Sequence, residues 1–275
     1  MSKTIDGDDG LPADEVGVRA KEKHKCLCRY IEISKRVRTK WVKGPKSAGA
    51  TFVDSFCGSG RAKLRETGEW IDGGAIAAWR QSCADEAPFT TVYIGDLDPA
   101  KQQACAKRLR QLGAPVKEMP GSAEQTIEKL ISQLNPHALH FAYLDPFDLA
   151  TLNFSIIENL SKLKRIDMLI HFSQMDLQRN TLTNAKAESS AFDSFAPGWR
   201  DKVNLAQTQQ GLRESIFEYW RNKVQEQNVE LSTQMRLISG EKNQPLYLLL
   251  LAAKHELANK FWKDAANLEG QKNLF

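Results

Sequence analysis

From residue 51 onward the chain alternates short apolar runs with amphipathic stretches, and it closes on two apolar runs joined by a short polar turn. The apolar runs fall at 51–56, 91–96, 115–119, 138–145 and 166–172, with helical spacing at 74–85, 99–112, 123–134 and 152–164. Such alternation predicts a parallel sheet covered by helices on both faces. After a helix over 212–227 come "STQMRLIS", the turn "GEKNQP" and "LYLLLLAAKH". Strands joined that tightly must pair antiparallel, because a parallel pair needs a long crossover. The expected fold is α/β: five parallel strands plus a terminal antiparallel hairpin.

The rest of the chain departs from this rhythm. Residues 1–18 are acidic, contain Gly and Pro and lack periodicity, which predicts a disordered tail. Arg19 to Lys46 holds eleven Lys or Arg against two acids, a net +9, while the remainder carries −5 within a total of +4. Leu27, Tyr30, Ile31, Ile33, Val37 and Trp41 fall largely at helical spacing there, so 19–48 reads as a basic helix and 49–275 as the α/β domain. Clustered cations beside Tyr30 and Trp41 are the electrostatic footprint of a nucleic-acid partner; a solvated helical face is the alternative. The stretch 174–210 is long for a connection and reads as an insertion. Its Arg179, Phe192, Phe195, Trp199 and Arg200 fit either a base-stacking lid or a packed excursion. No run reaches 18 apolar residues, the start is acidic rather than leader-like, and the five cysteines lack CxxC spacing. Free thiols, no metal site, no membrane span and a cytoplasmic setting are expected.

Acids at the ends of the apolar runs carry the functional signal. "TFVDSFCGSGR" ends a strand in Asp54 and continues through Phe56 to Gly58 and Gly60. A nicotinamide-type GxGxxG needs a third glycine where Lys63 stands. The stretch resembles instead the D-x-F-x-G-x-G first motif of S-adenosylmethionine (SAM)-dependent methyltransferases. That resemblance implies a Rossmann-like class I methyltransferase sheet whose glycines admit the methionine part of SAM without a Cβ in the way. It also implies that Asp54 receives the cofactor's ammonium group. Asp96 ends the next strand, where the family's acid takes both ribose hydroxyls. Asp98 is the alternative and is also a good N-cap before Pro99. Ser122 and Ala123 stand where the family contacts adenine, with helix capping by Ser122 as the competing reading. Asp145, Pro146 and Phe147 resemble the [DNS]-P-P-[YFW] motif of amino-methyltransferases. There the polar side chain and the proline carbonyl accept hydrogen bonds from the target amine, and the aromatic stacks on the base. The second proline is absent here and Asp148 follows, so a capping role is the alternative for Asp145.

In order along the chain, "KHKCLCRYI", "FVDSFCGSGR", "GGAIAAW", "DPF", "IDMLIHFSQMDLQRN" and "PLYLLLLAAKH" with "ANKFWKDA" resemble the three-Cys-motif partner (TcmP) family over roughly residues 21–265. Cys57, where the family commonly has a small residue such as Ala, and Phe147-Asp148, where Tyr/Phe-Gly is usual, depart from its pattern. The resemblance implies a SAM-methyltransferase-like fold with an unspecified substrate. The expected activity is methyl transfer from SAM to DNA or RNA, with Asp145 orienting the acceptor. A non-catalytic SAM- or nucleotide-binding partner of a second polypeptide and a small-molecule methyltransferase are the rivals.

Overall fold

A computed structural model describes residues 3–44, 47–240 and 242–267; Lys46 of the basic segment and the chain's last eight residues lie outside the described residues. The chain opens with β1 (Lys3–Asp6), β2 (Pro12–Val16), α1 (Ala20–Ile33) and α2 (Lys35–Val42). There follow β3 (Ala50–Asp54), β4 (Arg61–Leu64), β5 (Trp70–Asp72), α3 (Gly74–Ala84), β6 (Thr91–Asp96), α4 (Pro99–Gln111) and β7 (Val116–Pro120). Next are α5 (Ala123–Ile131), β8 (Leu139–Leu144), α6 (Phe154–Leu160), β9 (Ile166–Ser173), α7 (Gln174–Lys186), α8 (Ala191–Phe195) and α9 (Trp199–Lys202). Last come α10 (Gln209–Gln225), β10 (Glu230–Leu231), β11 (Arg236–Ser239), β12 (Pro245–Ala253) and α11 (Glu256–Ala266).

The central sheet runs β7-β6-β3-β8-β9-β12, with β10 and β11 beyond β12. The first five strands are parallel, and β12 pairs antiparallel with β9 and with β11. This is the class I methyltransferase arrangement, five parallel strands closed by an antiparallel hairpin. Alternate side chains point to opposite faces, and both faces are covered. Phe52, Phe141, Leu169 and Leu249 pack with α1, α3, α4 and α11, while Val53, Ala142, Ile170 and Leu250 pack with α5, α6, α7 and α10. Two-sided burial is why these strands read as continuous apolar runs.

The N-terminal segment corrects the sequence reading twice. Residues 3–16, expected to be a disordered tail, form the β1–β2 hairpin, and β2 extends the β4–β5 pair into a second small sheet. Strand propensity does not explain it, since Asp and Gly disfavour strands. Ion pairs do: Asp8 meets Arg61 at 2.6 Å, Asp9 meets Arg108 at 2.6 Å and Asp14 meets Lys101 at 2.7 Å. The Arg108 guanidinium holds the Asp9 carboxyl down at about 2. The single basic helix is in turn two, broken at Ser34. The break turns Arg38 inward, where Nε donates to Ala87 O at 2.7 Å and Nη2 to Asp85 at 2.9 Å, only 2% exposed.

The 174–210 excursion is packed. Phe192, Phe195 and Trp199 are buried, with Phe195 stacked on Trp220 at 5.5 Å, and Arg200 pairs with Asp193 at 2.9 Å and caps the carbonyl of Asn184. Those aromatics belong to the core; of the residues singled out there, Arg179 is the exposed one.

Arg38→Gln strands the Asp85 carboxylate and should destabilise the fold by about 3 kcal/mol. Arg36→Gln, on an exposed side chain, should change stability by less than about 0.5 kcal/mol; urea unfolding midpoints check the pair. A pH effect follows from Asp167, whose Oδ2 accepts from Tyr30 Oη at 2.7 Å. Burial lifts its pKa to about 6 against the opposing pull of Tyr30 and His255. The folded state therefore holds a proton that the unfolded chain has released, so this contribution is full below about pH 4 and lost as pH rises through about 6. Asp167→Asn should flatten that slope and gain stability over wild type above pH 6, measured by denaturant titration across pH 4–7.

Candidate active site

Ligands of doubly wound sheets bind beyond the carboxyl ends of the strands, where the strand order reverses. That point lies between β3 and β8 here. It opens into a cavity of about 610 Å³. All ten candidate residues line it: Asp54, Phe56, Gly58, Gly60, Asp96, Ser122 and Ala123 from the cofactor set, and Asp145, Pro146 and Phe147 from the acceptor set.

Asp54 is buried at the end of β3, and its Oδ1 accepts from the Phe56 amide at 3.0 Å. Burial pushes its pKa well above the usual carboxylate range, partly offset by the Phe56 bond. Asp96 accepts from the Gly58 amide and from the Asp98 amide, each at 2.9 Å. Each oxygen keeps a further lone pair, enough for two hydroxyl donors. Burial raises the Asp96 pKa also. Neither Asp54 nor Asp96 forms an ion pair with a protein cation among the described residues. Asp98, the alternative ribose ligand, accepts from the Ala100 amide at 2.9 Å and caps α4. Ser122 caps α5, accepting from Gln125 N at 3.4 Å, and also faces the cavity.

The two glycines are also required by the loop itself. Gly58 has φ +56°, and a Cβ there would lie 2.9 Å from the Asp14 carboxylate; at Gly60, φ +79°, it would meet Cys105 at 3.0 Å. Both positions serve the loop's own left-handed turns and its close packing against β2 and α4. Asp14 fastens the loop by accepting from Ser59 N at 2.9 Å and Ser59 Oγ at 2.7 Å. Gly74 gives the aromatic ring of Tyr143 its room, since a Cβ would stand 2.6 Å from that ring.

Around Asp145 the structure brings together residues that motif reading missed. Lys23 Nζ donates to both carboxylate oxygens, at 2.8 and 2.6 Å, Tyr143 Oη donates at 3.2 Å, and His171 Nδ1 lies 3.1 Å away. Burial alone would raise the Asp145 pKa, but Lys23 and then His171 outweigh it and hold the carboxyl far below its usual range. Tyr247 Oη, from β12, donates to Arg19 O at 2.9 Å and so ties down the start of α1, from which Lys23 projects. His24, one residue on, also lines the cavity; burial and Lys23 lower its pKa to about 4, so it is neutral near pH 7. Leu97 and Phe147 are apolar yet 66% and 63% exposed at the cavity wall. His171 did leave a signal, an ionisable residue inside a buried apolar run. Lys23 opens the "KHKCLCRYI" block, but nothing in that block sets it apart from ten other cations.

No protein-family model and no curated protein sequence matches the chain. Among solved structures, it is similar to a putative O-methyltransferase from Klebsiella pneumoniae, with 14% identity over 90% of this chain and 84% of the other, TM-score 0.48. It is also similar to a cofactor-bound protein from MTB, with 12% identity over 85% and 80%, TM-score 0.46. A third likeness is to an O-methyltransferase from Bacillus cereus in complex with SAH, with 9% identity over 82% and 80%, TM-score 0.46. Likenesses at this level carry no argument, and the fold assignment rests on the strand order. No helix among the described residues is long and apolar enough to cross a membrane.

Gly58→Ala should loosen the β1–β2 hairpin, because the new methyl group meets the Asp14 carboxylate in a backbone conformation that disfavours it. Limited proteolysis should then cleave within residues 3–16 at least several-fold faster than in the wild type.

Proposed function

We propose that the chain is a SAM-dependent methyltransferase of the TcmP type, acting in the cytoplasm on nucleic acid. The observation that carries the cofactor assignment is electrostatic. Two carboxylates, the buried Asp54 and the half-buried Asp96, line one cavity, and among the described residues neither is ion-paired to a protein cation. SAM brings an ammonium, a sulfonium and a diol, which match a carboxylate that needs a cation and one with lone pairs to spare. Leu97 offers an apolar surface for the adenine. Bound there, SAM supplies an electrophilic methyl group; the chain's part is to hold the acceptor near it and exclude water.

Two features support a nucleic-acid acceptor. Phe147 stands exposed at the cavity wall, suited to stacking on a base. Lys25, Arg29, Lys35 and Arg36 line a separate groove of about 510 Å³ between α1, α2 and α3, with Glu32 as its one acid. Among the described residues none of the four has an ion-pair partner, which leaves them to phosphates. One observation favours the non-catalytic rival: Lys23 already occupies Asp145, where an acceptor amine was expected. Transfer of radiolabel from SAM to total RNA or DNA separates the two readings.

Isothermal titration should detect SAM or S-adenosylhomocysteine binding, and Asp96→Ala should weaken it at least tenfold, as expected for loss of two hydroxyl hydrogen bonds. No heat with either ligand refutes the assignment. Replacing Lys25, Arg29, Lys35 and Arg36 with Gln should reduce the slope of log affinity for RNA or duplex DNA against log salt by about three to four units. An unchanged slope refutes the nucleic-acid reading.

A further inference from the structure

The D-P-F motif invites an amine, because in the motif it resembles the acid and the proline carbonyl both accept hydrogen bonds from one. In this chain the acid's acceptor positions are filled by the chain's own donors, and the carbonyl shares one of those donors while keeping one lone pair. Lys23 Nζ spans the two Asp145 oxygens at 2.8 and 2.6 Å. His171 Nδ1 lies 3.1 Å from Asp145 Oδ1 and 3.3 Å from the Pro146 carbonyl oxygen. An incoming amine would have to displace an ammonium from a carboxylate that also takes a tyrosine hydroxyl.

What remains is of the opposite character. Two of the three Lys23 N–H groups are used by Asp145, and the lysine lines the cavity with a positive charge. Both partners of His171 Nδ1 are acceptors, so Nδ1 carries a proton, and a ring holding that single proton has its lone pair on Nε2. Nε2 is buried and has no hydrogen-bond partner. The ring is fixed from the other side by Tyr247, edge-on at 4.3 Å between centroids. A bare imidazole nitrogen beside a fixed ammonium is a base next to an anion-stabilising charge.

We infer that the acceptor is a hydroxyl group, with His171 as the base that takes its proton and Lys23 as the cation that steadies the developing oxyanion. This rests on the methyltransferase reading above. For a nucleic-acid acceptor it selects the ribose 2′-hydroxyl, and therefore RNA over DNA. The hydroxyl proton passes to His171 Nε2, and the oxygen forms a bond to the methyl carbon of the sulfonium donor. The carbon–sulfur bond breaks with its electron pair left on sulfur, giving a neutral thioether and a methyl ether. The imidazolium then loses its proton to solvent. Asp145 is a positioning residue: it sets the histidine tautomer and holds the lysine.

The test has two arms. The full chain is incubated with methyl-labelled SAM and either total RNA or DNA, and the products are digested to nucleosides. Label on ribose oxygen in RNA, with none in DNA, is expected; His171→Gln should cut turnover at least about 100-fold with SAM affinity within a few-fold by titration. Label on a base nitrogen overturns the hydroxyl inference and leaves the nucleic-acid reading standing. No labelled nucleic acid from a chain that binds SAM overturns the nucleic-acid reading instead. The second arm then decides the hydroxyl inference without any substrate, from the side-chain ¹⁵N spectrum of His171 in the free protein. A neutral ring protonated on Nδ1, with Nε2 bare, is expected. A proton on Nε2 leaves no base at that atom and overturns the inference.

Discussion

A carboxylate taken out of water must be given a counter-charge or keep its proton, and that constraint organises the N-terminal half of this molecule. The parallel sheet ends three of its strands in acids at one edge: Asp54, Asp96 and, just past β8, Asp145. The elements that precede the sheet in sequence carry or meet the compensating charges. Lys23 on α1 neutralises Asp145, Lys101 on α4 neutralises Asp14, and Arg108 on α4 neutralises Asp9. The β1–β2 hairpin and α1 are therefore walls of the cavity, and they are held there as much by charge as by apolar packing. Breaking such a partly buried pair on one side leaves the other charge uncompensated, which is why these contacts fix position so firmly.

The same logic divides the basic segment. A net +9 over Arg19–Lys46 looks uniform in one dimension, yet its members do three different things. Arg38 is interior, bound to Asp85 and to backbone carbonyls. Arg19, Lys21 and Lys23 pair with Glu22, Glu69 and Asp145. Lys25, Arg29, Lys35 and Arg36 face outward on the second groove. Counting charges overstates what is available to a phosphate backbone, and the break at Ser34 is what lets neighbouring cations face opposite ways.

The central sheet was legible because burial on both faces writes itself as apolar runs, and its turns carry Gly and capping residues. The carboxyl-edge acids were legible for a related reason: a charge closing an apolar strand stands out. The hairpin at 3–16 was not, because Asp8, Asp9 and Asp14 read as solvent-seeking until Arg61, Arg108 and Lys101 are seen opposite them, at separations of 53, 99 and 87 residues. Lys23 meets Asp145 across 122 residues, and no local pattern encodes that pairing. The aromatics of 174–210 could have been a platform or a core, since both need the same residues. Phe172 on β9 and Trp220 on α10 decided for the core by offering them partners.

A motif's letters therefore do not fix its chemistry; its spare hydrogen-bonding capacity does. An Asp-Pro pair at the end of the fourth parallel strand can receive a substrate's protons only while its oxygens are unoccupied. With Lys23 across the carboxylate and His171 between the carboxylate and the proline carbonyl, the acceptors are turned inward. The groups left beside the cavity are an ammonium and an imidazole. The same three residues can thus serve opposite acceptors, an amine that gives hydrogen bonds or a hydroxyl that gives up a proton. The choice between them is made by one lysine delivered from a helix that lies outside the motif altogether.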